Sequence, residues 1–316
     1  MSAELVTINT EWLSDCSGCQ IAIFDLHEKI LSVLESVKIQ RCPVLTDVKD
    51  YPPAKIGLVS GAIRNEHDRH AAIEMRKSCD LIIAWGSCAV FGGPAGAGNV
   101  HTREEIADAV YLQNKTTSTS TLPNREISPL EVSVTPIDKV IDVDLYLAGC
   151  PPHPTYIFDA LVSLLEGKQP KATKESVCAK CKRQMKKSDV ATIRQHTDGM
   201  PDPELCFLSQ GYICMGSATI DRCLSPCPTN GVPCTGCAGA TMQILSEPNR
   251  DIRTEIAERM ARLTKIPKEE IVKEIEKSSK SHYSYTMASS MISEKPTFLI
   301  NKWIHEANED YEAVHG

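Results

Sequence analysis

Short apolar runs alternate with helically spaced apolar positions through residue 170 of the chain. Runs with the character of buried strands cover residues 4–8, 56–59, 81–85 and 143–147, and a weaker one covers 41–45. Helical spacing of apolar residues covers 21–37, 67–78 and 156–166. This alternation predicts an α/β fold built on a flavodoxin-like, doubly wound parallel sheet.

The pattern changes after residue 170. Residues 170–239 lack periodic apolar positions and hold eight cysteines, so we expect metal–ligand bonds to stabilise this segment in place of a hydrophobic core. After Ser246 the chain is charged and helically spaced. We therefore predict a flavodoxin-like domain over 1–170, a small irregular cysteine-rich domain over 171–245 and a helical C-terminal extension over 246–316.

Charge and hydropathy exclude two classes of partner. The formal net charge of -7 argues against nucleic acid, because phosphate binding needs a basic surface. No apolar run reaches the roughly 18 residues that a membrane span requires. The N-terminus has neither a basic region nor an apolar signal core, so we predict a cytoplasmic protein without a membrane span.

Fourteen cysteines in a reducing compartment indicate metal ligation or catalysis rather than disulfides. Cys16 and Cys19 form a Cys-x-x-Cys in the turn between the first strand and the first helix. Cys88 and Cys150 each follow an apolar strand and a nearby glycine. Because parallel strands end at one sheet edge, we expect these four thiols to converge on one metal-cluster site. A thioredoxin-type Cys-x-x-Cys would explain neither Cys88 nor the downstream cysteines.

Eight further thiols lie in the C-terminal half: Cys178, Cys181, Cys206, Cys214, Cys223, Cys227, Cys234 and Cys237. Two quartets of thiolates fit two cubane iron–sulfur clusters. Two tetrahedral zinc sites would use the same number of ligands and remain the alternative.

Four other residues are candidate ligands or cluster contacts. Cys42 and Cys79 lie at the edges of apolar elements, which favours buried small side chains. Asp47 ends a candidate strand and is a candidate replacement for a thiol, although capping or surface exposure is the favoured interpretation. His153 is a candidate hydrogen-bond partner of a cluster sulfur, and a solvent-facing side chain is favoured.

Three motifs resemble those that hold the proximal cluster in small subunits of nickel–iron hydrogenases. They are Cys16-Ser17-Gly18-Cys19, Gly86-Ser87-Cys88 and Gly149-Cys150-Pro151-Pro152. The order and spacing of the eight later cysteines also resemble that family, so the similarity covers residues 4–240. The chain looks most like the cytoplasmic methyl-viologen-reducing, deazaflavin-non-reducing enzymes of methanogens.

The resemblance implies three 4Fe-4S clusters, with the 171–245 segment as an iron–sulfur cluster domain. It assigns the proximal cluster to Cys16, Cys19, Cys88 and Cys150, the distal cluster to Cys178, Cys181, Cys206 and Cys214, and the medial cluster to Cys223, Cys227, Cys234 and Cys237. Many members have histidine at the position of Cys178 and proline at that of Cys227, so the all-cysteine set here is a departure. Gln20 stands where many members have glutamate, which puts a proton-path role at this position in doubt.

The function implied by the resemblance is an electron-transfer subunit of a hydrogenase. Electrons from dihydrogen oxidation would come from a nickel–iron centre on the partner large subunit. They would leave through a small iron–sulfur acceptor subunit that feeds a heterodisulfide reductase complex in methanogenesis. The chain lacks the Asp-Pro-Cys-x-x-Cys element that binds nickel and iron, so no catalytic residue is predicted in it.

Two alternatives stay open. One is a zinc-stabilised interaction module. The other is the cluster subunit of an NADH-dehydrogenase-like complex, which shares the fold and Gly-Cys-Pro-Pro. That family has two adjacent cysteines in place of the Cys-x-x-Cys and lacks the eight later thiols.

Overall fold

The fold is centred on a parallel sheet of five strands. The computed structural model describes residues 5–116, 121–171, 173–195, 197–247, 250–277 and 284–289. The five strands are β1 (Val6–Trp12), β2 (Val37–Arg41), β3 (Ala54–Ser60), β5 (Cys79–Trp85) and β7 (Leu145–Leu147). Their order is β2-β1-β3-β5-β7 and every pair is parallel. This order is the flavodoxin type, so the predicted fold class is confirmed.

Two short strands form a second sheet that the sequence pattern did not indicate. β4 (Ile63–Asn65) pairs antiparallel with β6 (Leu130–Thr135). β4 has only three residues and β6 is largely exposed, so neither carries a clear apolar run.

Ten α-helices lie in the described residues. Before the cysteine-rich segment they are α1 (Gly18–Phe24), α2 (Lys29–Leu34), α3 (Glu66–Ser78), α4 (Gly86–Phe91), α5 (Arg103–Ala107) and α6 (Pro154–Leu165). The other four helices lie within or after the cysteine-rich segment: α7 (Pro226–Thr229), α8 (Met242–Ser246), α9 (Ile252–Leu263) and α10 (Lys268–Lys277).

The predicted single helix over 21–37 is wrong. Two short helices occupy this stretch, and His27 between them has φ of 52°, which is left-handed and interrupts the helical hydrogen bonds. Val37 belongs to β2, where it pairs with Val6. The strand predicted over 41–45 is therefore displaced, since β2 ends at Arg41.

Hydrophobic clusters cover both faces of the sheet. Neighbouring residues on one strand point to opposite faces, and Val59 and Ile82 pack in one cluster while Leu58 and Ile83 pack in the other. The first cluster includes residues of α3 and α4, and the second includes residues of α1, α2 and α6. The strands are consequently buried on both sides, as a doubly wound sheet requires.

A third hydrophobic cluster corrects the expectation that the cysteine-rich segment has no apolar core. Phe207 and Met215 of that segment pack in one cluster with Ile256, Met260 and Ile271 of α9 and α10. The segment supplies scattered apolar residues without periodicity, and the two helices supply the complementary apolar faces. This cluster draws residues from both sides of Ser246, and the three-domain division stays a prediction.

No helix in the described ranges is long and apolar enough to cross a membrane. The cytoplasmic location stays a prediction.

Replacing Met260 by alanine tests the third cluster. Met260 is fully buried, so Met260→Ala is expected to lower the free energy of unfolding by about 2–5 kcal/mol through lost burial and a cavity. Met200→Ala is the matched control, because Met200 is 95% exposed and should change stability by less than about 0.5 kcal/mol. Urea unfolding of both variants makes the comparison, and equal losses would contradict the packing described here.

Candidate metal centres

Three strand ends meet at one edge of the sheet and carry the first four cysteines. Trp12, Ser60, Trp85 and Leu147 are the last residues of β1, β3, β5 and β7, and they pair in register across the sheet. Cys16 and Cys19 follow β1, Cys88 follows β5 and Cys150 follows β7. Strand register therefore delivers all four cysteines to the same edge, at the end where ligands bind in α/β sheets.

Glycines allow the backbone to approach these thiols closely. A Cβ on Gly86 would overlap Cys19 Sγ, and a Cβ on Gly93 would overlap Cys88 Sγ. Gly86 also has φ of 84°, a conformation that side chains disfavour. The turns after β5 and α4 thus require glycine for two separate reasons, sterics and backbone conformation.

Burial and nearby negative charges raise the pKa values of three thiols at this edge, Cys19, Cys88 and Cys150. Burial, with smaller contributions from the charges of Cys150, Asp15 and Cys16, raises the pKa of Cys88 to about 12. Burial also raises the pKa of Cys19 strongly, with added contributions from Asp15, Cys88, Cys150 and Cys16. Cys16, Cys88 and Cys150 all lie close enough to Cys19 to affect its pKa, so the structure brings the predicted proximal quartet together.

Asp15 is a site residue that the sequence pattern did not single out. Its Oδ1 accepts a hydrogen bond from the Ser17 N–H at 2.7 Å, and its buried Oδ2 has no hydrogen-bond partner among the described residues. The carboxylate adds negative charge beside Cys19, Cys88 and Cys150. Its position directly before the Cys-x-x-Cys was the available signal.

The eight later thiols fall into two spatial groups. In one group, burial together with the nearby Cys206 and Cys181 raises the pKa of Cys178 to about 12. Cys214 is buried, and its sulfur lies near that of Cys178, because both are within 3.6 Å of the Cβ position at Gly216. These are the four residues that the family resemblance assigns to a distal cluster.

The second group consists of Cys223, Cys227, Cys234 and Cys237. The pKa of Cys237 is raised, and burial is the largest cause. The charges of Cys234, Cys150, Cys223 and Cys227 add smaller contributions. Burial likewise raises the pKa of Cys234 to about 11, with Cys223 and Cys227 among the neighbours that raise it. This grouping agrees with the medial set of the resemblance.

Contacts between groups place the medial thiols between the other two sets. Cys150 of the first quartet is close enough to Cys237 to raise its pKa. On the other side, the Cys234 N–H donates a hydrogen bond to Cys214 Sγ at 3.3 Å. The three groups are thus contiguous, in the order first quartet, medial group and distal group.

Ser87 joins the first quartet to the medial group. Its hydroxyl donates a hydrogen bond to the Cys237 carbonyl and accepts one from the Gly149 N–H at 3.1 Å. The Ser87 N–H in turn donates to the Gly149 carbonyl at 2.8 Å. One side chain therefore connects α4, which carries Cys88, to the loops that carry Cys150 and Cys237.

The remaining candidates lie elsewhere or play structural roles. Cys42 and Cys79 are each 4% exposed, as small buried side chains should be. Asp47 is exposed, and His153 is half-buried with its Nδ1 accepting from the Thr155 N–H at the start of α6. Gln20 is buried, and its amide donates to the Ser60 hydroxyl at 3.0 Å.

The donor set fits iron–sulfur clusters. Each group offers four sulfurs, the soft ligands that such clusters take. Backbone N–H groups bond to several of them: Leu208 and Ser209 to Cys206, Gly216 to Cys214, Ser225 to Cys223 and Gly236 to Cys234. Such bonds stabilise negative charge on sulfur and tune clusters. In the described part of the chain, no three His, Cys, Asp or Glu side chains are grouped so that they could hold a single metal ion.

Comparison with known proteins first defines the class. The family of the 20 kDa subunit of NADH ubiquinone oxidoreductase matches residues 16–164. A chain of the NAD+-reducing [NiFe]-hydrogenase in its H2-reduced state is 31% identical, with a TM-score of 0.52 over 54% of this chain and 96% of that one. Fold and sheet-edge thiols together define a flavodoxin-like subunit of the kind found in these oxidoreductases.

Longer relatives identify the family. A subunit of the F420-non-reducing hydrogenase vhu of Methanocaldococcus jannaschii is 44% identical over 230 residues, which cover 72% of this chain and 80% of the relative. The corresponding subunit of the F420-non-reducing hydrogenase of Methanothermobacter thermautotrophicus is 32% identical over 298 residues, covering 92% and 97%. The chain belongs to the family that these F420-non-reducing hydrogenase subunits form. The resemblance to hydrogenase small subunits is thereby confirmed, and with it the prediction of an oxidoreductase subunit.

Removing the Ser87 hydroxyl tests the connection between the first quartet and the medial group. Ser87→Ala leaves the Gly149 N–H and the Cys237 carbonyl without this partner, so it should cost about 1–3 kcal/mol of unfolding free energy. Ser217→Ala is the matched control, because the buried Ser217 hydroxyl has no hydrogen-bond partner among the described residues. Urea unfolding that finds the two variants equally stable would contradict the connecting role of Ser87.

Proposed function

We propose that the chain is the electron-transfer subunit of a nickel–iron hydrogenase. Electrons from dihydrogen oxidation on the partner large subunit would pass through this chain to a small iron–sulfur acceptor subunit that feeds heterodisulfide reductase. The single observation that carries the proposal is the contiguity of the three thiol groups. The Ser87 hydroxyl is hydrogen-bonded both to the Cys237 carbonyl and to the Gly149 N–H, next to Cys150. The Cys234 N–H donates a hydrogen bond to Cys214 Sγ.

The proposal assigns one 4Fe-4S cluster to each thiol group. The proximal site is Cys16, Cys19, Cys88 and Cys150, the medial site is Cys223, Cys227, Cys234 and Cys237, and the distal site is Cys178, Cys181, Cys206 and Cys214. With these assignments the 1–170 domain holds the proximal site and the 171–245 domain holds the other two. When bound, the clusters supply one-electron transfer between neighbouring sites.

The protein's own residues set the environment of each site. Burial withdraws the thiols from water, and the raised pKa values mean that metal binding must release protons from them. Backbone N–H groups such as that of Gly236 then stabilise the thiolate form of Cys234. The Asp15 carboxylate places a fixed negative charge beside the proximal site, which disfavours reduction there.

The exposed side of the proximal site supports docking of the large subunit. Cys16 is exposed, and Trp12 at the end of β1 and Ile21 and Phe24 in α1, the elements that flank it in the sequence, are 41%, 53% and 42% exposed. Large apolar side chains clustered at a surface mark interaction sites. We assign this surface, defined by Trp12, Cys16, Ile21 and Phe24, to the contact with the nickel–iron subunit.

The match to the NADH oxidoreductase family favours one other function, a cluster subunit of an NADH-dehydrogenase-like complex. That match ends at residue 164, before the eight later cysteines. The hydrogenase relatives extend over up to 92% of the chain, which supports the hydrogenase assignment. The zinc-stabilised interaction module is distinguished by metal analysis.

Iron and acid-labile sulfide in anaerobically purified protein test the clusters. We expect about twelve iron atoms per chain. Cys88→Ala and Cys234→Ala should each lower this number by up to about four. Cys42→Ala and Cys79→Ala are the matched controls and should keep the full content. Two zinc ions without sulfide would refute the proposal.

Anaerobic co-purification tests the docking surface. Ile21→Glu should weaken association with the large subunit by more than about tenfold, because a buried unpaired carboxylate costs more than about 1.4 kcal/mol. Val132→Glu is the control, since Val132 is 83% exposed on β6. Mass spectrometry of the partners also determines whether heterodisulfide reductase subunits are present. Equal recovery of the large subunit with both variants would exclude this surface.

A further inference from the structure

A short segment late in the chain packs against the junction of two thiol groups. Residues 284–289, which we call the strap, include the buried residues Ser284, Thr286 and Ser289. The strap contacts α4 and the turn Pro94–Val100 of the flavodoxin-like domain. The chain therefore returns from α10 to the sheet edge that carries the first quartet.

One end of the strap lies over the glycine turn beneath Cys88. A Cβ on Gly92 would lie 2.5 Å from the Ala288 Cβ, and one on Gly96 would lie 2.8 Å from it. Gly93 of the same turn is in contact with Cys88. Ala288 thus fits a surface that only glycines leave open, and that surface backs directly on the first quartet.

The other end of the strap lies at the medial group. The Tyr285 side chain is hydrogen-bonded to Thr235, which sits between Cys234 and Cys237 in the sequence. Burial raises the pKa of Tyr285, and the nearby Cys150 and Cys237 raise it further. Cys150 belongs to the first quartet and Cys237 to the medial group, so the half-buried ring lies where the two groups meet.

Water at this junction would change the redox behaviour of both sites. An iron–sulfur cluster becomes more negative when it is reduced, and nearby water stabilises the more negative form. An aromatic ring that fills the junction excludes water and holds the potentials low. A hydrogen bond to Thr235 additionally fixes the loop that carries Cys234 and Cys237.

We propose that Tyr285 is a positioning residue that seals the junction between the proximal and medial clusters against water. This inference rests on the proposed function, since it requires clusters at both thiol groups. The ring does the sealing, and Ala288 anchors the strap to the glycine turn.

Redox titration of the cluster-loaded full chain, followed by electron paramagnetic resonance, tests the seal. Tyr285→Ala should raise the midpoint potentials of the proximal and medial clusters and speed their loss of iron to a chelator severalfold. Tyr285→Phe keeps the ring and should stay close to the parent protein in both measurements. The distal cluster is an internal reference and should not shift. Tyr111→Ala, at a tyrosine that is 39% exposed, is the matched control.

A second variant displaces the strap without altering Tyr285. Ala288→Leu is too large for the gap above Gly92 and Gly96, so it should reproduce the shifts of Tyr285→Ala. If the Tyr285→Ala protein keeps its full iron content and its proximal and medial midpoint potentials do not change, the sealing role of Tyr285 is refuted. The proposed function is not affected by that result. Equal shifts of all three clusters would also overturn it, because they indicate a general loss of structure. Parent protein without iron or sulfide would instead overturn the proposed function.

Discussion

The in-register ends of parallel strands are the constraint on which the rest of the molecule depends. Trp12, Trp85 and Leu147 end β1, β5 and β7 along one line. Any residue placed a few positions later on these strands must reach the same edge. Cysteines occupy those positions, and Gly86 removes the side chain that would otherwise keep β5 away from Cys19.

The rest of the chain is attached to this edge through a few specific contacts. The Ser87 hydroxyl bonds to Cys237 across 150 residues of sequence, and Tyr285 bonds to Thr235 in the same loop. The cysteine-rich segment is also held by apolar packing, because α9 and α10 share a core with it. This half of the protein therefore has an apolar core of its own, and metal bound at the proposed sites would add to its stability.

Thiol burial gives the sites their chemical character. Grouped buried thiols keep their protons in the absence of metal, since a thiolate would be desolvated and repelled by its neighbours. Cys88 and Cys178, whose pKa values rise to about 12, illustrate this in two different groups. A bound metal makes the thiolate the favoured form, because it places positive charge beside the same sulfurs. The same burial that disfavours free thiolates thus suits coordinated ones.

Much of the fold and most candidate ligands could be read from the sequence, because their signals are local. Apolar runs predicted β3, β5 and β7 to within a few residues, and glycine–cysteine motifs marked the thiols at strand ends. The break at His27 was not predicted, since a left-handed residue inside a helical pattern has no compositional sign. Three features were decided only by the tertiary structure: the contribution of α9 and α10 to the third core, the bond from Ser87 to Cys237 and the position of the strap. Each of these features joins residues that are far apart in the chain. Such contacts depend on how the helices and strands pack together, so no periodic pattern in the sequence predicts them.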